Sequence, residues 1–389
     1  MPETPIPPDK SLASELFNMD EYSPEERQKK EFLPWHKPRK QFVRHHQWCE
    51  QIHSMLQEFT PENKVLRYLG LPGEDLLDLR YFHSQICAPL DLKLKFLGFN
   101  RGANRNSGEQ SELNLSLDEI NKLGNIDPQS DIIGDDICQL AIPESVAWNR
   151  TCTIGPYDVI NIDLCDGFGK HGPNQFRETH YNALHQLMTL QARKPAPWLL
   201  LLTTRTSSAD IHEAIMTILK GLYNSNLTVH STFREASFEK FGINDEASLD
   251  SILESEKGVS DIFLVSLCKW IASIAVSQNP PSKLEVKSVL GYKVAEQANF
   301  QDLVSIAIKI TPTFIVGRDA IGLSNAHATG PNECQMAIQA LNRIARQKDV
   351  DDILSKDEEL LAEMISMSAE ILKDARYDVS TYPDWARNK

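Results

Sequence analysis

The stretch from Leu66 to Phe82, LRYLGLPGEDLLDLRYF, constrains the fold more than any other. An apolar run ends in the turn Gly70-Leu71-Pro72-Gly73, two acids follow (Glu74 and Asp75), and an amphipathic segment comes next. A strand, a tight turn and a helix read this way when the turn has to approach a nucleotide-like ligand closely. A plain structural turn is the competing reading, because two glycines alone are a weak motif. Repetition counts against that reading. Three later segments repeat the strand-then-acid pattern, in the order that a doubly wound domain needs.

From Lys64 onward, strand and helix patterns alternate. Strands are expected at about 65–69, 92–98, 131–133, 158–162 and 198–203, and two further runs, 284–294 and 303–310, can pair antiparallel. The polar opening of 101–128, RGANRNSGEQ, reads as a loop-like insertion, with a short helix from Leu117 to Leu123. A cap signal at Ser207 to Asp210 precedes a helix over 211–222. Segment 230–257 is mixed and gives no clear assignment, an apolar helix follows at 259–277, and the tail 331–376 reads as helical and amphipathic. The expected fold is therefore α/β: a doubly wound, mostly parallel, seven-stranded sheet with a terminal antiparallel hairpin and helical extensions at both ends. The expected divisions are an arm with a basic helical extension (1–60), the α/β domain (61–318) and a C-terminal extension (319–389).

The chain has 389 residues, 41% of them hydrophobic, which suffices for a large core. Its best candidate for a membrane span, Ile262 to Val276, is short and holds Lys269, so a buried helix and no membrane contact are expected. Seven scattered cysteines without a CxxC pair, and a start that lacks a signal-peptide pattern, fit a reducing cytoplasm. His171, His180 and His185 lack metal-ligand spacing, and no metal is expected.

Five strand-helix units, a final hairpin and a glycine turn after the first strand resemble a class I S-adenosylmethionine-dependent methyltransferase of Rossmann type, over about 60–312. Four short motifs carry the resemblance, and they are degenerate. In LGLPGED, Gly70, Leu71 and Gly73 match the loop whose amides approach the cofactor's amino-acid end, but Tyr68 and Leu69 stand where an acid is usual. At the end of KLKFLGFN, Asn100 stands where the family's acid grips the ribose hydroxyls. In SDIIGDDICQLAIP, Asp135 matches the adenine-contacting acid, with Asp136 as competitor and helix capping as the other reading for both. In YDVINIDLCDGFG, Asp163 and Asp166 emerge at the strand's carboxyl end, where the resemblance puts the reacting groups. The resemblance implies S-adenosylmethionine bound by Gly70, Leu71, Gly73, Asn100, Asp135 and Asp163, with Asp163 and Asp166 catalytic. Cys165 between them reads as a structural thiol before a nucleophile.

A net charge of -14 rules out nucleic-acid binding through the average field, so such binding needs a local patch. The segment EFLPWHKPRKQFVRHHQW supplies one candidate. On a helix begun at Pro38, Lys40 and Arg44 share a face, and with Lys37 and Arg39 they suit a phosphate backbone. Salt bridges to the chain's own carboxylates are the competing reading. Two functions stay open: a methyltransferase acting on nucleic acid, or a catalytically inactive methyltransferase-like binding or scaffold subunit, for which the resemblance suggests protein partners in a bacterial defence-type complex.

Overall fold

A computed structural model describes residues 30–104, 108–173, 176–295, 298–313 and 330–387. The expected arm at 1 to about 25 lies outside the described residues, as does the start of the expected C-terminal extension. The described residues form one mixed sheet of eight strands in the order β3-β2-β1-β4-β5-β7-β6-β8. These are β1 (Val65–Gly70), β2 (Lys93–Phe99), β3 (Asp131–Ile133), β4 (Val159–Asp163), β5 (Trp198–Arg205), β6 (Ser282–Tyr292), β7 (Leu303–Pro312) and β8 (Lys348–Asp349). The first five are mutually parallel, and β7 then runs antiparallel to both β5 and β6. The seven-stranded expectation is corrected by β8, a two-residue edge strand that joins β6 in parallel at Leu290 and Gly291.

β4 and β5 are central and almost wholly buried, which explains their near-continuous apolar runs. Successive side chains on each strand feed two separate cores, one per face. On the front face lie α1 (Pro38–Val43), α2 (Glu50–Glu58), α3 (Leu77–Phe82) and α4 (Gly108–Asn121). The back face carries α5 (Val146–Ile154), α6 (His180–Gln191), α7 (Glu213–Val229), α8 (Ser231–Phe241), α9 (Glu246–Ile252), α10 (Glu256–Ser277) and α11 (Glu333–Ile344). The chain returns to the front in α12 (Val350–Lys356), α13 (Glu358–Asp374) and α14 (Tyr382–Arg387). The unassigned 230–257 thus holds two helices, and the helix inside the 101–128 insertion begins earlier than its apolar residues suggest. α10 is long and apolar enough to cross a membrane by composition, yet it is the central helix of the back core, buried on nearly all sides.

Between α1 and α2 the helix widens into a π-helical stretch, Arg44–Cys49. It turns Gln47 and Trp48 toward the sheet. Gln47 donates to the Ser305 carbonyl at 3.0 Å, Ser305 donates back to Gln47 Oε1 at 2.6 Å, and the Trp48 indole N–H reaches Ser305 Oγ at 3.3 Å. This buried polar cluster fastens the N-terminal helices to β7, and hence across the carboxyl end of the sheet.

Candidate functional site

Strand order reverses between β1 and β4, and ligands of open α/β sheets bind in the crevice outside the carboxyl ends at such a point. A cavity of about 240 Å³ lies there, lined in part by Leu71, Gly73, Asn100 and Asp163. Lys40 and Arg44 line it too. A second cavity of about 210 Å³ adjoins it, toward Arg39, Arg205 and Tyr292. Trp35, Lys40, Asp163 and Cys165 line both, so these four groups stand between the two chambers.

The four cations of the basic segment do not form a stripe facing solvent. Lys40 and Arg44 are buried. Lys40 Nζ pairs with Asp163 Oδ1 at 2.5 Å and lies 4.5 Å from the Trp48 ring centroid. Burial acts to lower the pKa of Lys40; Asp163, then Tyr292 and Asp78, act to raise it, and it ends above the ordinary lysine value. Arg44 pairs with Asp78 at 2.5 Å, both side chains being nearly inaccessible. Lys37 donates to the Trp385 carbonyl at 2.8 Å and sits over that indole ring, 4.0 Å from its centroid. Arg39 donates to the Lys293 carbonyl and lies 3.4 Å from Asp351.

The glycine turn is held by its own neighbours. A Cβ on Gly70 would run into the fully buried Tyr68 side chain, and one on Gly98 would come 2.7 Å from Pro72. A Cβ on the exposed Gly73 would meet nothing within 4 Å. Two of these glycines therefore serve close packing of the loop on β1 and β2. Asn100 does the same work. Its amide donates to the Pro72 carbonyl at 3.0 Å, and its oxygen accepts from the Gly102 N–H at 2.7 Å. Both polar ends are engaged, which leaves no bidentate acceptor for a diol.

The remaining candidates stand apart. Asp135 follows β3 half-buried and does not line the crevice, while Asp136 caps the next turn by accepting from the Cys138 N–H at 2.7 Å and pairs with Arg101. Asp166 pairs with Lys170 at 3.0 Å and lines neither chamber. Cys165 is at the exposed rim, where desolvation by surrounding protein, then the Asp163 charge, pushes its thiol up and away from a thiolate.

Sequence reasoning missed Asp78 and Tyr377, both at the crevice. Tyr377 belongs to a clamp between the segment that starts at Lys30 and the C-terminal helices. Lys30 pairs with Asp75 at 2.5 Å, and the Tyr377 hydroxyl donates to the same carboxylate at 2.7 Å. Phe32 packs among Tyr377, Tyr382 and Trp385, with ring centroids 5.1–5.8 Å apart. The Tyr382 hydroxyl donates to the His36 carbonyl, and burial, followed by the Arg44 charge, pushes the His36 imidazole down to about 4. Only the proximity of the acids at 74 and 75 to a glycine turn was available as a sequence signal. The partners of Asp75, Lys30 and Tyr377, lie 45 and 302 residues away.

The donor set does not fit S-adenosylmethionine in the manner that the resemblance implies. Asp163 is held by Lys40, Asn100 is engaged at both ends, and Asp135 is elsewhere. Comparison with curated proteins gives no match. Among solved structures, the chain is similar to a candidate class I S-adenosylmethionine-dependent methyltransferase from Listeria monocytogenes, at 11% identity and a TM-score of 0.34, over 72% of this chain and 62% of that one. So distant a likeness carries no weight for activity. The family model described as PP_RS20740-like matches residues 29–387, nearly the whole chain, and the chain belongs to that family.

Proposed function

We propose that this chain is a catalytically inactive, methyltransferase-like binding or scaffold module. One observation carries the reading: the Lys40 ammonium, delivered by the N-terminal helix, occupies the switch-point crevice and neutralises Asp163. In a methyltransferase that carboxylate would have to orient an acceptor amine or hydroxyl beside the methyl donor. Here it is locked in a structural pair, in a crevice walled by Leu33, Trp35 and Tyr377. The reading also accounts for the basic segment, whose cations are engaged within the chain and so offer little to a phosphate backbone. The position of the crevice, at the edge where α/β folds take ligands, favours the second reading, S-adenosylmethionine-dependent methylation of nucleic acid. An assay of radiolabelled methyl transfer from S-adenosylmethionine to DNA and RNA separates the two. The module reading expects no transfer above background. Transfer that disappears in Asp163→Ala, with the fold intact, overturns it.

A further inference from the structure

A larger cavity, about 670 Å³, opens on the back face between the start of α6, the middle of α7 and Trp270 of α10. Its size falls in the range of small-molecule sites. Tyr181, Leu219, Leu222 and Trp270 make an apolar lining, with the Tyr181 and Trp270 rings 5.1 Å apart and nearly perpendicular. At the same site, Phe176 is 60% and Ile218 50% exposed, so two large apolar side chains stand in water there.

Its charge is unusual for this chain. Acids outnumber lysine and arginine by 54 to 40, yet among the described residues no Asp or Glu lines the cavity. Arg177, His171 and His185 do line it, and the Arg177 guanidinium has no carboxylate partner among the described residues. An arginine is always charged, and its planar fork matches a carboxylate or sulfonate. The Tyr181 hydroxyl is buried and has no hydrogen-bond partner among the described residues. That oxygen is closed off from the cavity, so the Tyr181 ring is what the lining offers a ligand.

We propose that this cavity binds a small amphipathic anion, an aromatic or branched apolar body bearing a carboxylate or a like oxyanion. The body lies against Tyr181, Trp270 and Leu222, and the anionic end meets Arg177. The site shares no lining residue with the switch-point crevice and stands or falls independently of the function proposed above.

The test uses 8-anilinonaphthalene-1-sulfonate, an aromatic anion whose fluorescence rises in apolar sites, with the full chain. The expected result is saturable binding at one site, displaced by indole-3-acetate. Arg177→Glu and Ile218→Asp each weaken it at least tenfold. Both residues are exposed, so their variants should keep the parent's thermal midpoint. Absence of saturable binding, or binding unchanged in both variants, overturns the proposal. So does a loss caused by Trp35→Ala in place of Arg177→Glu, because the probe would then be reporting the crevice.

Discussion

Replacing Lys40 by Met tests whether the pair in the crevice is structural. Methionine keeps an apolar stem against Trp48 and removes the ammonium. The Asp163 carboxylate is then left without its partner. The two side chains are 7% and 17% exposed, so the pair belongs with buried ion pairs. Removing one partner of such a pair costs about 3–5 kcal/mol, and the remaining access to water places this case near about 3 kcal/mol. Unfolding entropy of about 2.1 cal/mol/K per residue gives roughly 0.8 kcal/mol/K for 389 residues, so the midpoint should fall by roughly 4 °C. Scanning calorimetry of Lys40→Met, Asp163→Leu and the double variant gives the measurement. The double variant should recover most of the loss, because no unpaired charge remains. A midpoint within about 1 °C of the parent for Lys40→Met, with no coupling between the two changes, would be the behaviour of a loose surface pair and would refute the reasoning.

Two further outcomes follow from the same geometry. His36 and His180 are each held down to about 4 from an ordinary 6.5, chiefly by burial, so the unfolded chain takes up protons first as pH falls. Stability should be full above pH 6.5 and be lost between 6.5 and 4, by up to about 3 kcal/mol per histidine, and His180→Leu should flatten that fall in a pH series of denaturant midpoints. Gly70→Ala should destabilise by about 1–3 kcal/mol because its methyl meets the Tyr68 ring, whereas Gly73→Ala should stay within about 0.5 kcal/mol; equal effects in the two variants would contradict the packing role assigned to Gly70.

The sheet was legible because its signals are local. Each of the seven expected strands overlaps an observed one, since buried β4 and β5 are apolar throughout and the glycine turn marks the end of β1. β8 was not legible: Lys348 and Asp349 are two polar residues that become a strand only because Leu290 and Gly291 of β6 lie beside them. Of the residues expected at the site, Leu71, Gly73, Asn100 and Asp163 line the crevice at the carboxyl edge of the sheet. Sequence could not find what they do there. The partner of Asp163 is 123 residues away, that of Asp78 is 34 away, and those of Asp75, on Lys30 and Tyr377, are 45 and 302 away. A cationic run at helical spacing looks the same whether it faces water or a buried carboxylate, and only tertiary structure separates the two.

Titration calorimetry of S-adenosylmethionine and S-adenosylhomocysteine into the folded chain tests the central claim most directly. A crevice divided by Lys40 and Trp35, with Asp163, Asp78 and Asn100 engaged by the chain itself, predicts no saturable heat at millimolar ligand. Saturable heat with one-site stoichiometry, lost in Asp163→Ala and retained in Arg177→Glu, would contradict the account and return the chain to the ligand-binding members of its fold.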